Sequence, residues 1–141
     1  MGNYQSLSKI NYEDVIQLLN TNSPNNFILL NTLNDINQHC LIINTLHSKG
    51  EETVLNNALN ESKSILIIIY GMNYSDETIY IKYNQLLKLG FTNVYIYPGG
   101  MFEWLCLQDI YGDEMFKTTS KELDILKYKP LNAFTKKIDF H

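Results

Sequence analysis

The chain contains no arginine: all 11 of its basic residues are lysine. Arginine grips phosphate, sulfate or carboxylate through a planar two-pronged fork, so any mechanism needing such a fork from within the chain is excluded. Cysteine is scarce. Cys40 and Cys106 are the two present, too few for a disulfide framework and without metal-ligand spacing. No cofactor or metal is therefore expected. Long apolar runs are missing as well. The longest covers residues 65–69, far short of the ~20 residues a membrane helix needs. No apolar secretory run opens the chain, and a reducing, cytoplasmic setting is the expectation. The net charge of −4 argues against a nucleic-acid binder that tracks phosphates.

What is present reads as one globular domain of 141 residues, long enough for a real core and too short for two ordinary domains. Tyr12, Val15, Ile16 and Leu19 fall at helical spacing and predict a helix over 12–20. Pro24 lies in the break that follows. Residues 27–30 and 41–43 are short apolar runs of the kind buried strands show, and 51–59 is a weaker helix candidate. The clearest strand is 65–70, four isoleucines and a leucine before Tyr70. After a polar loop, Ile79, Tyr83, Leu86 and Leu87 form a core-facing stripe on a helix that Gly90 ends. Residues 94–97 read as a strand, 98–100 as a turn and 101–110 as a helix. Thr119 with Glu122 has capping-box spacing for a short helix carrying Leu123 and Leu126. Apolar strands alternating with helices predict a parallel sheet with helices on both faces.

Four local signatures resemble a single rhodanese-type domain. Phe27-Ile28-Leu29-Leu30-Asn31 sits where that family has a hydrophobic-Asp-x-Arg strand. Gln38-His39-Cys40-Leu41 is similar to its G-H-I-P segment. The strand 65–70 leads into a tight loop and a helix, as the family's active-site strand does. Gly90-Phe91-Thr92-Asn93-Val94-Tyr95, followed by Pro98-Gly99-Gly100-Met101-Phe102-Glu103-Trp104, is close to G-F-x-x-V-x-x-x-x-G-G-x-x-x-W and is the most specific of the four. The resemblance implies a three-layer α/β fold with a central parallel five-stranded sheet in the order 1-5-4-2-3, residues 7–10 being the first strand. Sites in such folds lie at the carboxyl ends of strands. The expected domain spans 1–112 with its core at about 7–112, and 113–141 is expected as a C-terminal extension docked on it.

A working rhodanese carries a cysteine as the first residue of the loop after its fourth strand. Backbone N–H groups around that loop lower the thiol pKa. An arginine later in the loop helps to hold the anionic donor. Here the loop reads Gly71-Met72-Asn73-Tyr74-Ser75-Asp76. Gly71 falls where the cysteine belongs, and Asp76, followed by Glu77, about where the arginine belongs. Two unit charges ~4 Å apart interact by about 4 kcal/mol at an effective dielectric near 20. The sign change thus outweighs a helix dipole of about 0.3–1 kcal/mol and disfavours a thiosulfate-like dianion. With Ser75 or Asn73 as N-cap, the two acids read as the first turn of a capped helix, and Gly71 as a residue serving backbone conformation. Asn31 and Leu33 replace the strand aspartate and arginine, so the family's Asp–Arg brace has no counterpart.

Other candidates read as packing. His39 and Cys40 are adjacent on a strand and point to opposite faces, so they form no nucleophile–base pair. Cys106, Trp104 and Phe91 read as core. Ser75 and Tyr74 lack a base nearby in sequence. Met1-Gly2-Asn3-Tyr4-Gln5-Ser6 fits the myristoylation pattern at Gly2. One such chain gives only weak membrane association. The expectation is a rhodanese-like protein inactive as a sulfurtransferase, serving as a protein-binding or regulatory module. Its partner would meet Met72, Tyr74 and Glu77. The alternative is a sulfurtransferase or phosphatase-like enzyme with a non-standard nucleophile.

Overall fold

The computed structural model describes residues 7–21 and 26–134. Among these described residues four α-helices and three strands are laid down in strict alternation: α1 (Tyr12–Thr21), β1 (Phe27–Asn31), α2 (Glu51–Glu61), β2 (Leu66–Tyr70), α3 (Thr78–Leu89), β3 (Val94–Ile96) and α4 (Gly100–Tyr111). The strands are parallel and stand in the order β1-β2-β3, Leu29 opposite Ile68 and Ile68 opposite Tyr95. Strand side chains alternate between faces, which splits the core in two. Ile28, Leu30, Ile67, Ile69 and Ile96 pack under α2 and α3 with Leu55, Ile79, Tyr83 and Leu86. Phe27, Leu29, Ile68 and Tyr70 pack against Val15 of α1 and Met101, Trp104 and Leu105 of α4. β1, and β2 beyond Leu66, are buried on both faces, which is why these runs are continuously apolar.

The sheet is narrower than the expected five strands. Outside β3, the first segment contributes one parallel bridge, Lys9 to Ile96, with Ile10 N–H donating to the Ile96 carbonyl at 2.9 Å. Outside β1 there is one parallel bridge, Leu29 to Thr45. The expected order of neighbours is kept, and both edges are reduced to single bridges. Residues 41–43 do not form the predicted strand. Asn44 takes a left-handed φ of 69°, and Thr45 N–H bonds back to the Ile42 carbonyl at 3.0 Å, so the segment turns where it would have to run straight. Its backbone groups are satisfied elsewhere: Ile42 N–H donates to the Tyr70 hydroxyl, and Leu41 N–H to Thr119 Oγ.

Helix ends follow local chemistry. Asn11 and Asp14 cap α1 reciprocally, each backbone N–H donating to the other's side chain at 3.0 Å. Gly90 closes α3 with φ of 114°. Leu87, expected in the core stripe of α3, is instead 39 % exposed, because the face of α3 that meets the sheet is set by Ile79, Tyr83 and Leu86.

After α4 the chain turns back across the α1–α4 face. Phe116 is buried with its ring edge-on to Trp104, centroids 5.1 Å apart. The Trp104 indole N–H donates to the Lys117 carbonyl. An antiparallel bridge joins Ile42 to Thr118. The predicted capping box is not formed. Thr119 Oγ is used by Leu41 N–H, Glu122 accepts from Asp124 N–H, and the short turn of helix is a 3-10 turn, Ile125–Tyr128. Leu123 and Leu126 point outward, and Tyr128 takes the buried position. Tyr128 is fully buried, and its hydroxyl is the one buried side-chain group among the described residues without a hydrogen-bond partner. An unmade buried hydrogen bond costs about 1–3 kcal/mol. Tyr128→Phe is therefore expected to stabilise the fold by about 1 kcal/mol in urea denaturation; a lower midpoint for the variant would contradict this.

Candidate functional site

The loop after β2 begins at the carboxyl end of the central strand, with β1 on one side and β3 on the other. Gly71 is buried there. Its backbone is not in the left-handed region, so the glycine is required by space and not, as its place at the strand exit implied, by backbone conformation. A Cβ at this position would press on Asp76 Oδ2, lie 2.8 Å from Thr32 Oγ and 2.9 Å from Ile79 Cγ2. Gly100, with φ of 69°, lets α4 approach equally closely, since a Cβ there would meet the Gly71 carbonyl oxygen at 2.7 Å. The first turn of α4 then holds the loop from below: Met101 N–H donates to the Gly71 carbonyl at 2.9 Å and Phe102 N–H to the Met72 carbonyl at 2.8 Å.

Asp76 fills the centre of the loop. Its Oδ2 accepts from Met72 N–H at 2.9 Å. Its Oδ1 accepts from Thr78 N–H at 3.0 Å and from the Thr78 hydroxyl at 2.6 Å. The Thr78 hydroxyl also lies 2.7 Å from Thr32 Oγ. The cap of α3 is thus provided by Asp76. Asn73 does not cap α3 but closes an Asx turn, its Oδ1 accepting from Ser75 N–H at 2.8 Å. Ser75 makes no side-chain cap either; the N-cap position is Glu77, without a side-chain bond. A carboxylate on two backbone N–H groups and a hydroxyl is a charge-assisted arrangement, roughly twice as strong as its neutral equivalent. The loop supplies its own anion at the place where the resemblance puts a sulfur anion.

The remaining loop residues divide by exposure. Tyr74 is 66 % exposed, Ser75 and Glu77 are exposed, and Met72 is half-buried. Asn73 is buried, and its side-chain amide donates to the Tyr128 carbonyl at 2.8 Å. Across the loop runs a groove of about 790 Å³, walled by Thr32, Leu33, Met72, Asp76 and Glu77 on one side and by Lys127, Lys129 and Leu131 on the other. The two lysines stand at the same groove as Asp76 and Glu77, an approach that sequence distance hid. Lys127 is ion-paired with Glu122, whose carboxyl is lowered to about 2 by Lys127 first and by His39 second. Gly2 lies outside the described residues.

Where the resemblance has an Asp–Arg brace, the structure holds a neutral one. Asn31 is buried, and Gln38 Nε2 donates to its Oδ1 at 2.7 Å while Asn31 Nδ2 donates to Gln38 Oε1 at 3.2 Å. Leu33 N–H also donates to Asn31 Oδ1, and Gln38 reaches the Leu33 carbonyl and Ser48 N–H. Leu33 is buried as packing. Sequence reading missed this pair; two amides seven residues apart carry no signal until a turn folds one onto the other.

Cys40 is buried in the core, while Cys106, expected there too, is half-buried on α4 and outside the core clusters. Cys40 Sγ donates to the Ser120 carbonyl at 3.3 Å, and burial pushes its thiol pKa up. Burial and Asp109 do the same for Cys106. The His39 ring turns away to Glu122, with Nε2 to Oε1 at 2.9 Å. Among the described residues no group of His, Cys, Asp or Glu is placed to hold a metal ion. Nor is any helix there long and apolar enough to cross a membrane.

A doubly wound three-layer α/β domain with its loop at the carboxyl end of the central strand is thus defined by topology and site alone. Compared as a sequence, the chain matches no protein-family profile and no curated protein. Compared as a structure, it is similar to rhodanese-like domains. The rhodanese-like domain of the Anabaena sp. Alr3790 protein superposes with a TM-score of 0.57 at 22 % identity, over 89 % of this chain and 86 % of that one. Ygr203w, a yeast protein tyrosine phosphatase of the rhodanese family, gives 0.57 at 16 % identity, over 86 % and 97 %. The BH2092 protein from Bacillus halodurans gives 0.60 at 16 %, over 93 % and 89 %. The chain has the rhodanese-like fold.

Proposed function

We propose that this is a rhodanese-like domain without sulfurtransferase activity, acting as a protein-binding or regulatory module in a cytoplasmic setting. The observation that carries the reading is the pairing of Gly71 with Asp76. The position of the nucleophile has no side chain, and a carboxylate takes up the space and an N–H group that a thiolate would need. Phosphatase chemistry on the same loop meets the same obstacle. Among the described residues no histidine is hydrogen-bonded to Ser75 or Tyr74: His39 is engaged with Glu122, and His47 accepts from Lys49 N–H. What the loop does offer is surface: the exposed Tyr74 ring, the Glu77 carboxylate and the Met72 side chain at the edge of the groove.

The test is a sulfurtransferase assay with thiosulfate and cyanide, run beside p-nitrophenyl phosphate hydrolysis. Both are expected to show only the uncatalysed background. Turnover of either substrate at an enzyme's usual 1–10³ s⁻¹ would overturn the non-catalytic reading.

A further inference from the structure

We propose that residues 121–131 are a detachable cover on the loop, hinged at Ser120, which releases the loop's binding face without unfolding the sheet. This rests on the reading of the loop as a binding surface and adds how its covered part, Asn73 with the half-buried Met72 and Asp76, is opened beside the already exposed Tyr74 and Glu77.

The segment touches the loop directly. The Tyr128 carbonyl accepts from the buried Asn73 amide at 2.8 Å, and that same Asn73 side chain fixes Ser75 N–H. Lys127, Lys129 and Leu131 form the far wall of the groove above Met72 and Asp76. Withdrawing the segment would remove that wall and free Asn73.

Its attachments change in character at Ser120. Before it, the chain is tied to the domain by Phe116 against Trp104, by the Ile42–Thr118 bridge, by Thr119 N–H to the Leu41 carbonyl at 2.8 Å and by Ser120 Oγ to the His39 carbonyl at 2.6 Å. From 121 to 131, apart from the buried Tyr128 and its carbonyl bond to Asn73, the ties lie nearer the surface. Glu122 pairs with the half-exposed His39 and with Lys127. Leu123, Leu126 and Leu131 are 82, 64 and 78 % exposed, so the apolar hold is left to Tyr128 and the half-buried Ile125. Tyr128 leaves its hydroxyl unpaired, which lessens the cost of withdrawing it. Few buried apolar contacts and peripheral ion pairs are what local opening below the global unfolding energy requires.

Amide hydrogen exchange by NMR on the full chain tests this, comparing wild type with Tyr128→Ala and with Glu122→Gln, a change at a partly buried ion-pairing side chain outside the apolar core clusters. In Tyr128→Ala the amides of Ser75 and Asp76 are expected to exchange at least tenfold faster, while those of Ile67, Ile68 and Ile96 keep their wild-type rates. Glu122→Gln is expected to move the same loop amides in the same direction by a smaller factor. Loop rates unchanged in both variants, or loop and strand rates rising together, would overturn the proposal. Should Tyr128→Ala fail to fold, Glu122→Gln decides alone. Enzymatic turnover by the wild type would defeat the non-catalytic reading and leave these exchange results standing, so the two failures are separable.

Discussion

Gly71→Cys restores the residue that a sulfurtransferase would have, and it is expected to be inactive and less stable than the parent. The new Cβ would sit 2.8 Å from Thr32 Oγ and 2.9 Å from Ile79 Cγ2, with the Asp76 carboxylate closer still. Forcing extra atoms into a packed site costs about 1–3 kcal/mol. The thiol would then face a carboxylate, and a like charge at contact distance disfavours the thiolate. Its pKa is expected above the ordinary thiol value, so alkylation by iodoacetamide at neutral pH is slow. The double variant Gly71→Cys/Asp76→Ala removes the competing anion and frees Met72 N–H to face the sulfur. Compared with the single variant, its thiol pKa is expected to fall, while stability stays below wild type because the cap of α3 is lost and the contacts with Thr32 and Ile79 remain. Urea denaturation and the pH dependence of alkylation measure both effects. A single variant as stable as wild type, with a thiol at least as acidic as in the double variant, would refute the account of Asp76 as the loop's internal anion.

Asn31→Asp is the second large effect, and it tests the neutral brace. The substitution introduces the aspartate of the rhodanese pattern that this strand resembles, in a chain that has no arginine to pair with it. The new carboxylate loses the donor that now serves Gln38 Oε1 and the Leu46 carbonyl, and it is buried beside those two oxygens. Removing one side of a buried, hydrogen-bonded pair and adding an unpaired charge costs about 3 kcal/mol at neutral pH. The sign with pH follows from burial. A buried Asp has its folded-state pKa raised above the unfolded value of about 3.9, so the folded variant holds its proton to higher pH. The deficit against wild type is therefore smallest below that value and grows as pH rises through the folded pKa. A deficit independent of pH between 4 and 8 would mean that Asn31 serves shape and not charge neutrality.

Much of the fold was legible because its signals are local. The runs at β1 and β2 are apolar without alternation, since both faces of each strand are covered, and α3 is bounded by a loop and by a glycine that needs a positive φ. The Gly-Gly-x-x-x-Trp signature has a physical counterpart too: Gly100 admits the loop backbone, and Trp104 anchors α4 over the sheet. The edge strands were misjudged because pairing is a property of two segments at once. Residues 41–43 are as apolar as a strand, but the turn at Asn44 and the partners at Thr119 and Tyr70 use their backbone groups differently. The Thr119–Glu122 capping box failed for the same reason, each side chain finding a partner elsewhere.

The amino-acid order by itself determined the alternation of helices and strands, the absence of a thiol at position 71 and the absence of a guanidinium anywhere, because these depend on residue identity and spacing alone. Tertiary structure decided what replaced them. Only folding brings Asp76 back onto Met72 N–H, sets Gln38 against Asn31 and lays Lys127 and Tyr128 across the loop. These contacts join residues whose proximity no local pattern encodes. They exist because a buried polar group must find a partner wherever the packed chain supplies one.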